Sequence, residues 1–206
     1  VDIDRAVAVR GVESIRHAKQ RGEKVMRLNK PRIEMLEADK VPEGVRKALG
    51  NNSGLHIFRT LAHHPKLLED WLRFGNRILV SSTLPGRERE LAVLRVGWLC
   101  RAGYEWGQHA LIGELSGLSK EEIARVTSGP AAEGWSEAER LVLQATDELH
   151  GDYFIVDETW KGLTEHFSTQ QILDLVFLVG QYHLVSMALN SVGIQPEEGL
   201  PPLPES

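Results

Sequence analysis

Apolar residues recur along this chain at helical spacing, and no stretch alternates as a strand would. From Leu67 to Val80, the positions Leu68, Trp71, Leu72, Gly75, Ile78 and Leu79 follow the helical period, which predicts one helix. Ser81 to Gly86 reads as a turn, with Pro85 suited to the first turn of the helix that follows. That helix carries Leu91, Ala92, Leu94, Val96, Trp98 and Leu99 on most of its sides, the mark of a buried helix. Arg101-Ala102-Gly103 breaks it, a helix from Tyr104 to Ser116 follows, and Gly117 is placed to end that one in a left-handed conformation. Ser119-x-x-Glu122 and Ser136-x-x-Glu139 are capping boxes. The first opens a helix with Ile123 and Val126 inward, the second one with Leu141, Val142, Ala145 and Leu149 inward. TSGPAAEGW between them is a loop. Trp160 to His166 is a short helix, and Ser168-x-x-Gln171 opens the last, from Thr169 to about Val192. Its apolar residues run nearly all round, as in a central core helix or a subunit contact. The fold class is all-α.

The first third of the chain is less regular. Residues 33–53 are short pieces broken by Pro42, Gly44, Gly50 and the turn-prone run Asn51-Asn52-Ser53-Gly54. Ser53 is expected to cap a helix starting at about Gly54, with Leu55, Phe58, Leu61 and Ala62 inward. His63-His64-Pro65 closes that helix, because the residue before a proline avoids helical geometry. Residues 1–31 form a separate basic helical arm in this reading, 32–200 the helical domain, and 201–206 a C-terminal tail within a Pro-rich stretch from Gln195. The arm reads as solvated or as embracing a subunit. A faint repeat at about fifty residues pairs REREL (87–91) with EAERL (137–141) and the Ser119 box with the Ser168 box.

Composition narrows the classes. The chain has 206 residues, 42% hydrophobic and 26% charged, as in a globular domain. A formal net charge of −5 gives no electrostatic reason to expect nucleic acid as a partner. One cysteine, Cys100, excludes an internal disulfide framework and a Cys-rich metal site. No run of 18 consecutive apolar residues occurs, so no membrane partner is expected. The opening VDIDRAVAVRG has charges where a signal peptide needs an apolar run, and the expected location is the cytoplasm.

The candidate chemistry lies in the middle of the chain. Glu105 and His109 are four residues apart on one predicted helix, so their side chains share a face. A carboxylate one turn from an imidazole fixes its tautomer and raises its proton affinity, which suits a general acid or base near neutral pH. Glu90, at the start of the apolar helix before it, would hold or relay a second proton. Three readings of these residues stay open: a structural ion pair, a proton-transfer site, or a metal site with His183 as a fourth ligand. Tyr104 and Trp106 flank Glu105 and could wall a substrate pocket, and His183 could approach it from the last helix. Asn190 could line the pocket or cap a helix end. His56, His63 and His64 lack the spacing of a ligand set and read as helix-end residues.

TLPGREREL, YEWGQHALIGELSGLSKEEI and GQYHLVSMALNSVG together resemble the carboxymuconolactone decarboxylase family, whose superfamily includes the alkyl hydroperoxidase D-like proteins. The resemblance spans about residues 32–200. It implies an all-helical fold and a homotrimer or homohexamer. The peroxidase branch carries Cys-x-x-Cys-x-x-x-His with an upstream Glu. Here its His falls on His109 and its Glu on Glu90, but the two cysteine positions hold Ala102 and Glu105. The decarboxylase branch has Glu-x-x-x-His, matching Glu105 and His109, but lacks a Glu at the position of Glu90. The resemblance therefore implies a cofactor-independent lyase, decarboxylase or isomerase for a small carboxylated or lactone-like molecule. His109 would be the acid or base, Glu105 its orienting partner and Glu90 a second proton carrier, with no metal. The alternatives are a hydroperoxidase-like antioxidant protein and a non-catalytic oligomeric small-molecule binder of the same fold.

Overall fold

The computed structural model describes residues 26–205. Most of the predicted arm, residues 1–25, lies outside the described residues. Among the described residues there are nine α-helices and no strand. They are α1 (Glu43–Leu49), α2 (His56–Leu61), α3 (Pro65–Leu79), α4 (Gly86–Leu99), α5 (Gly103–Leu115), α6 (Lys120–Arg125), α7 (Glu137–Asp152), α8 (Asp157–His166) and α9 (Thr169–Val192). The fold is all-α, as the periodicity predicts.

Helix α4 is the axis. It packs against α5, α7 and α9, and Leu91, Ala92, Val93, Leu94 and Val96 have no exposed surface. Burial on every side explains why its sequence shows no polar stripe. One of its flanks meets Leu141, Val142 and Ala145 of α7 and Leu175, Leu178 and Val179 of α9. The opposite flank, with Leu91 and Leu94, meets Trp106 and Ala110 of α5 together with Leu118 and Ile123.

Three capping boxes start α6, α7 and α9. In each, the serine hydroxyl accepts from the third helical N–H while Glu122, Glu139 or Gln171 accepts from the serine N–H. Arg87, in the first turn of α4, reaches both carboxylates: its Nε lies 2.6 Å from Glu139 and another of its nitrogens donates to Glu122. That guanidinium, with the Ser119 N–H, lowers Glu122 to about 2. The two units of the faint repeat are thus stapled at their first turns. Deeper along the same pair of helices, Arg95 donates to Asp147 at 2.6 and 2.8 Å and to the carbonyls of Val126 and Thr127 at 2.9 and 2.8 Å. A buried guanidinium needs all of these acceptors.

The N-terminal pieces differ from expectation in one detail. Ser53 caps nothing. Residues Gly50–Gly54 close a tight 3-10 turn in which the Leu55 N–H donates to the Asn52 carbonyl, so α2 starts only at His56. His64 instead caps α3: its Nδ1 accepts from the Leu67 N–H at 3.2 Å, with Pro65 at the first helical position. His63 bonds the Glu34 carbonyl and His56 the Gln195 carbonyl, so these histidines are tied to backbone.

Helix α9 is long and apolar enough to cross a membrane by length and composition alone, but 56% of its most apolar window is buried within the bundle. It is a core helix. Its other side leaves Leu173, Phe177, Leu184 and Met187 exposed as one stripe. Gly193 ends it in a left-handed turn (φ 77°), and residues 26–32 run back against this end. There the Arg32 N–H donates to the Val192 carbonyl at 2.7 Å. Residues 195–205 have no helix or strand, yet they are not a free tail. They cross α5 so closely that a Cβ on Gly107 would lie 3.0 Å from Leu200 Cβ and 3.1 Å from the Pro201 oxygen.

Candidate active site

The break at Arg101, which adopts a left-handed conformation (φ 51°), turns the chain from α4 into α5. The two helices pack side by side, and this brings Glu90 to His109 across nineteen residues of sequence. His109 Nδ1 lies 2.6 Å from Glu90 Oε2, and His109 Nε2 lies 3.0 Å from Glu105 Oε1. All three side chains are buried, Glu90 at 0%, Glu105 at 4% and His109 at 5% exposure. One imidazole therefore sits between two carboxylates, each on its own ring nitrogen.

Electrostatics settle its charge. Burial by itself would lower the proton affinity of His109, but the Glu90 charge and the hydrogen bonds from Glu105 and Glu90 outweigh it and push the pKa up to about 10. At neutral pH the ring is an imidazolium with both N–H groups committed. Arg89 Nε donates to the other oxygen of Glu90 at 3.0 Å. Two anions, Glu90 and Glu105, thus face two cations, His109 and Arg89, and the cluster is balanced. Tyr182 stands edge-on to the His109 ring, with centroids 5.0 Å apart. Burial first, then the charges of Glu105 and Glu90, raise its phenol well above the ordinary value, so it stays neutral.

A cavity of about 150 Å³ opens on one side of this cluster. Leu55, Ile57, Phe58, Leu79, Ile112 and Val185 give it apolar walls. Glu105, His109, Tyr104, Gln108, Trp71 and Tyr182 are among its polar residues, with Asn52, Asn76 and Gln181 beside them. Among the described residues, no lysine or arginine lines it. Glu90 is not on the wall either. It holds His109 from behind, while Glu105 and the imidazole face the space.

Of the residues singled out from sequence, Glu90, Glu105, His109 and Tyr104 come together here. Trp106 and His183 do not. Trp106 points the other way, into the core cluster with Leu91, Leu94 and Leu118. One residue is about 100° of helical rotation, so a neighbour of Glu105 need not share its face. His183 misses for the same reason. Its neighbour Tyr182 faces the cavity, while His183 bonds His150 at 2.8 Å. Asn190 does cap a helix end: its Nδ2 donates to the Cys100 carbonyl at 2.9 Å, at the end of α4.

Sequence reasoning missed Glu197. Its carboxylate accepts from Tyr104 Oη at 2.8 Å, Gln108 Nε2 at 2.7 Å and the His56 N–H at 2.7 Å. One tail residue thus fixes two cavity-lining side chains and the start of α2. No local pattern could have shown this, since Glu197 is 89 residues from Gln108. Cys100 does not line the cavity, and burial pushes its thiol up, away from the thiolate that peroxide chemistry requires.

Residues 65–148 match the model of the carboxymuconolactone decarboxylase family. No curated protein matches the chain by sequence. Solved structures do match in fold. An uncharacterized peroxidase-related protein from Ralstonia eutropha JMP134, with an alkylhydroperoxidase AhpD core, superposes with a TM-score of 0.73 at 18% identity. The match covers 82% of this chain and 93% of that one. A protein of unknown function from Agrobacterium tumefaciens, a putative antioxidant defence protein AhpD, gives 0.62 at 19% identity, over 66% of this chain and 94% of that one. The debrominase Bmp8, as an alanine variant bound to 2,3,4-tribromopyrrole, gives 0.69 at 15% identity, over 81% of this chain and 92% of that one.

Proposed function

We propose, from the match of residues 65–148 to the carboxymuconolactone decarboxylase family model and the alkyl hydroperoxidase D-like fold, that the chain is a member of that superfamily and a cofactor-independent lyase or isomerase working by proton transfer. The observation that carries this reading is the imidazolium clamped by Glu90 and Glu105 with only the Glu105 side open to a cavity. A structural ion pair needs no cavity against it. Glu105 takes a proton from the carbon next to a substrate carbonyl, and its loss of charge releases His109 Nε2–H to donate to the oxygen of the resulting enolate. The proton then returns from Glu105 to another carbon, which completes an isomerisation. In a decarboxylation, carbon dioxide leaves first and the enolate carbon takes its proton from His109, which recovers one from solvent. Glu90 keeps the ring oriented throughout and favours its return to the charged form.

The lining favours a neutral, lactone-like substrate over a carboxylated one. The walls are mostly apolar, and both cations of the cluster already have carboxylate partners, so among the described residues an entering carboxylate finds no spare positive charge. A volume of about 150 Å³ suits a small ring. The protein acts in the cytoplasm as a homotrimer or homohexamer, with the exposed stripe on α9 as a subunit contact.

The test offers small unsaturated lactones, and 4-carboxymuconolactone beside them, to the purified protein and follows ultraviolet absorbance and carbon dioxide release. Turnover is expected to fall at least about 100-fold in Glu105→Gln and His109→Gln, with circular dichroism unchanged. Equal turnover in the variants would refute the assignment. A non-catalytic binder is the second reading, favoured by Trp71. Its Nε1 is buried without a partner among the described residues, on the cavity wall, where a bound acceptor would satisfy it. Ligand binding without turnover in the wild type would select that reading.

A further inference from the structure

A second cluster lies away from the cavity. Cys100 ends α4, His150 lies near the end of α7 and His183 lies in α9. One ligand atom from each falls within 4.8 Å of the other two. None of the three lines the cavity, and all are partly exposed, so an ion can reach them from solvent. We propose that Cys100, His150 and His183 form a zinc site with its fourth position open to water or a small ligand.

The hydrogen bonds prepare the donors. His183 Nδ1 lies 2.8 Å from the Val179 carbonyl one turn earlier, which can only accept. His183 therefore carries its proton on Nδ1 and presents a lone pair at Nε2. A backbone carbonyl that fixes the tautomer and ring plane of a histidine in this way is the outer-shell arrangement of a metal ligand. His150 Nδ1 lies 2.8 Å from that same His183 Nε2. In the metal-free protein the proton of His150 fills the place between them. On binding, His150 shifts its ring proton from Nδ1 to Nε2, the Cys100 thiol releases its proton to solvent, and the ion takes one thiolate and two imidazole nitrogens. The two nitrogens must part by roughly 0.5 Å to span a tetrahedral edge at Zn–N distances of about 2.0–2.1 Å. The sulfur, which lies within 4.8 Å of both nitrogens, must come to roughly 3.6 Å from each at a Zn–S distance of about 2.3 Å. Both are side-chain adjustments, because the three residues sit on helices already packed on one another.

The donor set chooses the metal class. One soft thiolate and two imidazoles suit zinc, and three protein ligands leave zinc the open fourth position that a structural four-ligand site lacks. Calcium and magnesium require oxygen donors, which the cluster does not offer.

The experiment uses the full chain, stripped with a chelator and titrated with cobalt(II) as an optical stand-in for zinc. Binding of one equivalent is expected, with intense tetrahedral visible bands and a thiolate-to-cobalt charge-transfer band, all displaced by one equivalent of zinc. Cys100→Ser should lose the charge-transfer band, and His183→Ala should weaken binding at least tenfold. His109→Gln should bind as the wild type does, which separates this site from the Glu90–His109–Glu105 cluster. Zinc should also raise the melting temperature of the wild type and not of His183→Ala. No uptake by the wild type would overturn the proposal. So would uptake that survives in both Cys100→Ser and His183→Ala, or that disappears in His109→Gln.

Discussion

Replacing Glu90 by Gln tests the charge state on which the proposed chemistry depends. The side chain keeps its shape and loses its charge. Two donors now face Glu90, His109 Nδ1 at 2.6 Å and Arg89 Nε at 3.0 Å. An amide can offer its oxygen to only one of them, so its NH2 confronts the other. In the wild type His109 is raised from 6.5 to about 10 against the pull of burial. That difference is roughly 5 kcal/mol in favour of the protonated ring, at about 1.36 kcal/mol per pH unit. The two carboxylates supply it together. Removing one while burial stays the same should lower the His109 pKa by at least about two pH units, into the neutral range. The assay is NMR titration of isotope-labelled histidine, with the His109 signal assigned by its loss in His109→Gln. Stability gives a second readout. A raised folded pKa stabilises fully below the unfolded value of 6.5 and is lost as pH climbs through about 10. The wild-type denaturation midpoint should therefore decline across that window. In Glu90→Gln the decline should be complete by about pH 8. A wild-type ring that titrates near 6.5, or a variant ring that titrates where the wild type does, would refute the reasoning.

Two further changes probe the walls of the site. Gly107→Val should force residues 200 and 201 off α5, because its first side-chain carbon would already meet Leu200 at 3.0 Å. The expected cost is about 1–3 kcal/mol, with faster proteolysis within residues 195–205, and unchanged protection would count against the packed tail. Phe177→Glu puts a charge in the exposed stripe of α9, beside Phe74, whose ring centroid is 6.2 Å away. On the proposed subunit contact, light scattering should give the variant a lower mass than the wild type, and a wild type that is already monomeric would dispose of the stripe as a subunit contact.

The sequence by itself determined most of the elements and the contact between Glu105 and His109. Serine followed three residues later by Glu or Gln marked the starts of α6, α7 and α9, because capping involves only residues within one turn. Glu105 and His109 were legible for the same reason: a spacing of four on a helix fixes their contact without help from the rest of the chain. Glu90 could be suspected as a charge in an apolar run, but its place on Nδ1 depends on how α4 lies against α5. Only the tertiary structure decided which faces of the all-round apolar helices point at the cavity. Helix α9 has no polar stripe to fix its rotation, so pattern could not tell Tyr182, which faces His109, from His183, which faces Cys100 and His150. Trp106 went to the core and Gln108 to the cavity on the same principle. Glu197 was invisible because a carboxylate in a coil segment shows no preference until the chain folds back over α5. Hydrogen bonds within one turn are written in the local sequence, whereas contacts across a packed bundle depend on helix rotation and crossing, which many distant residues set together.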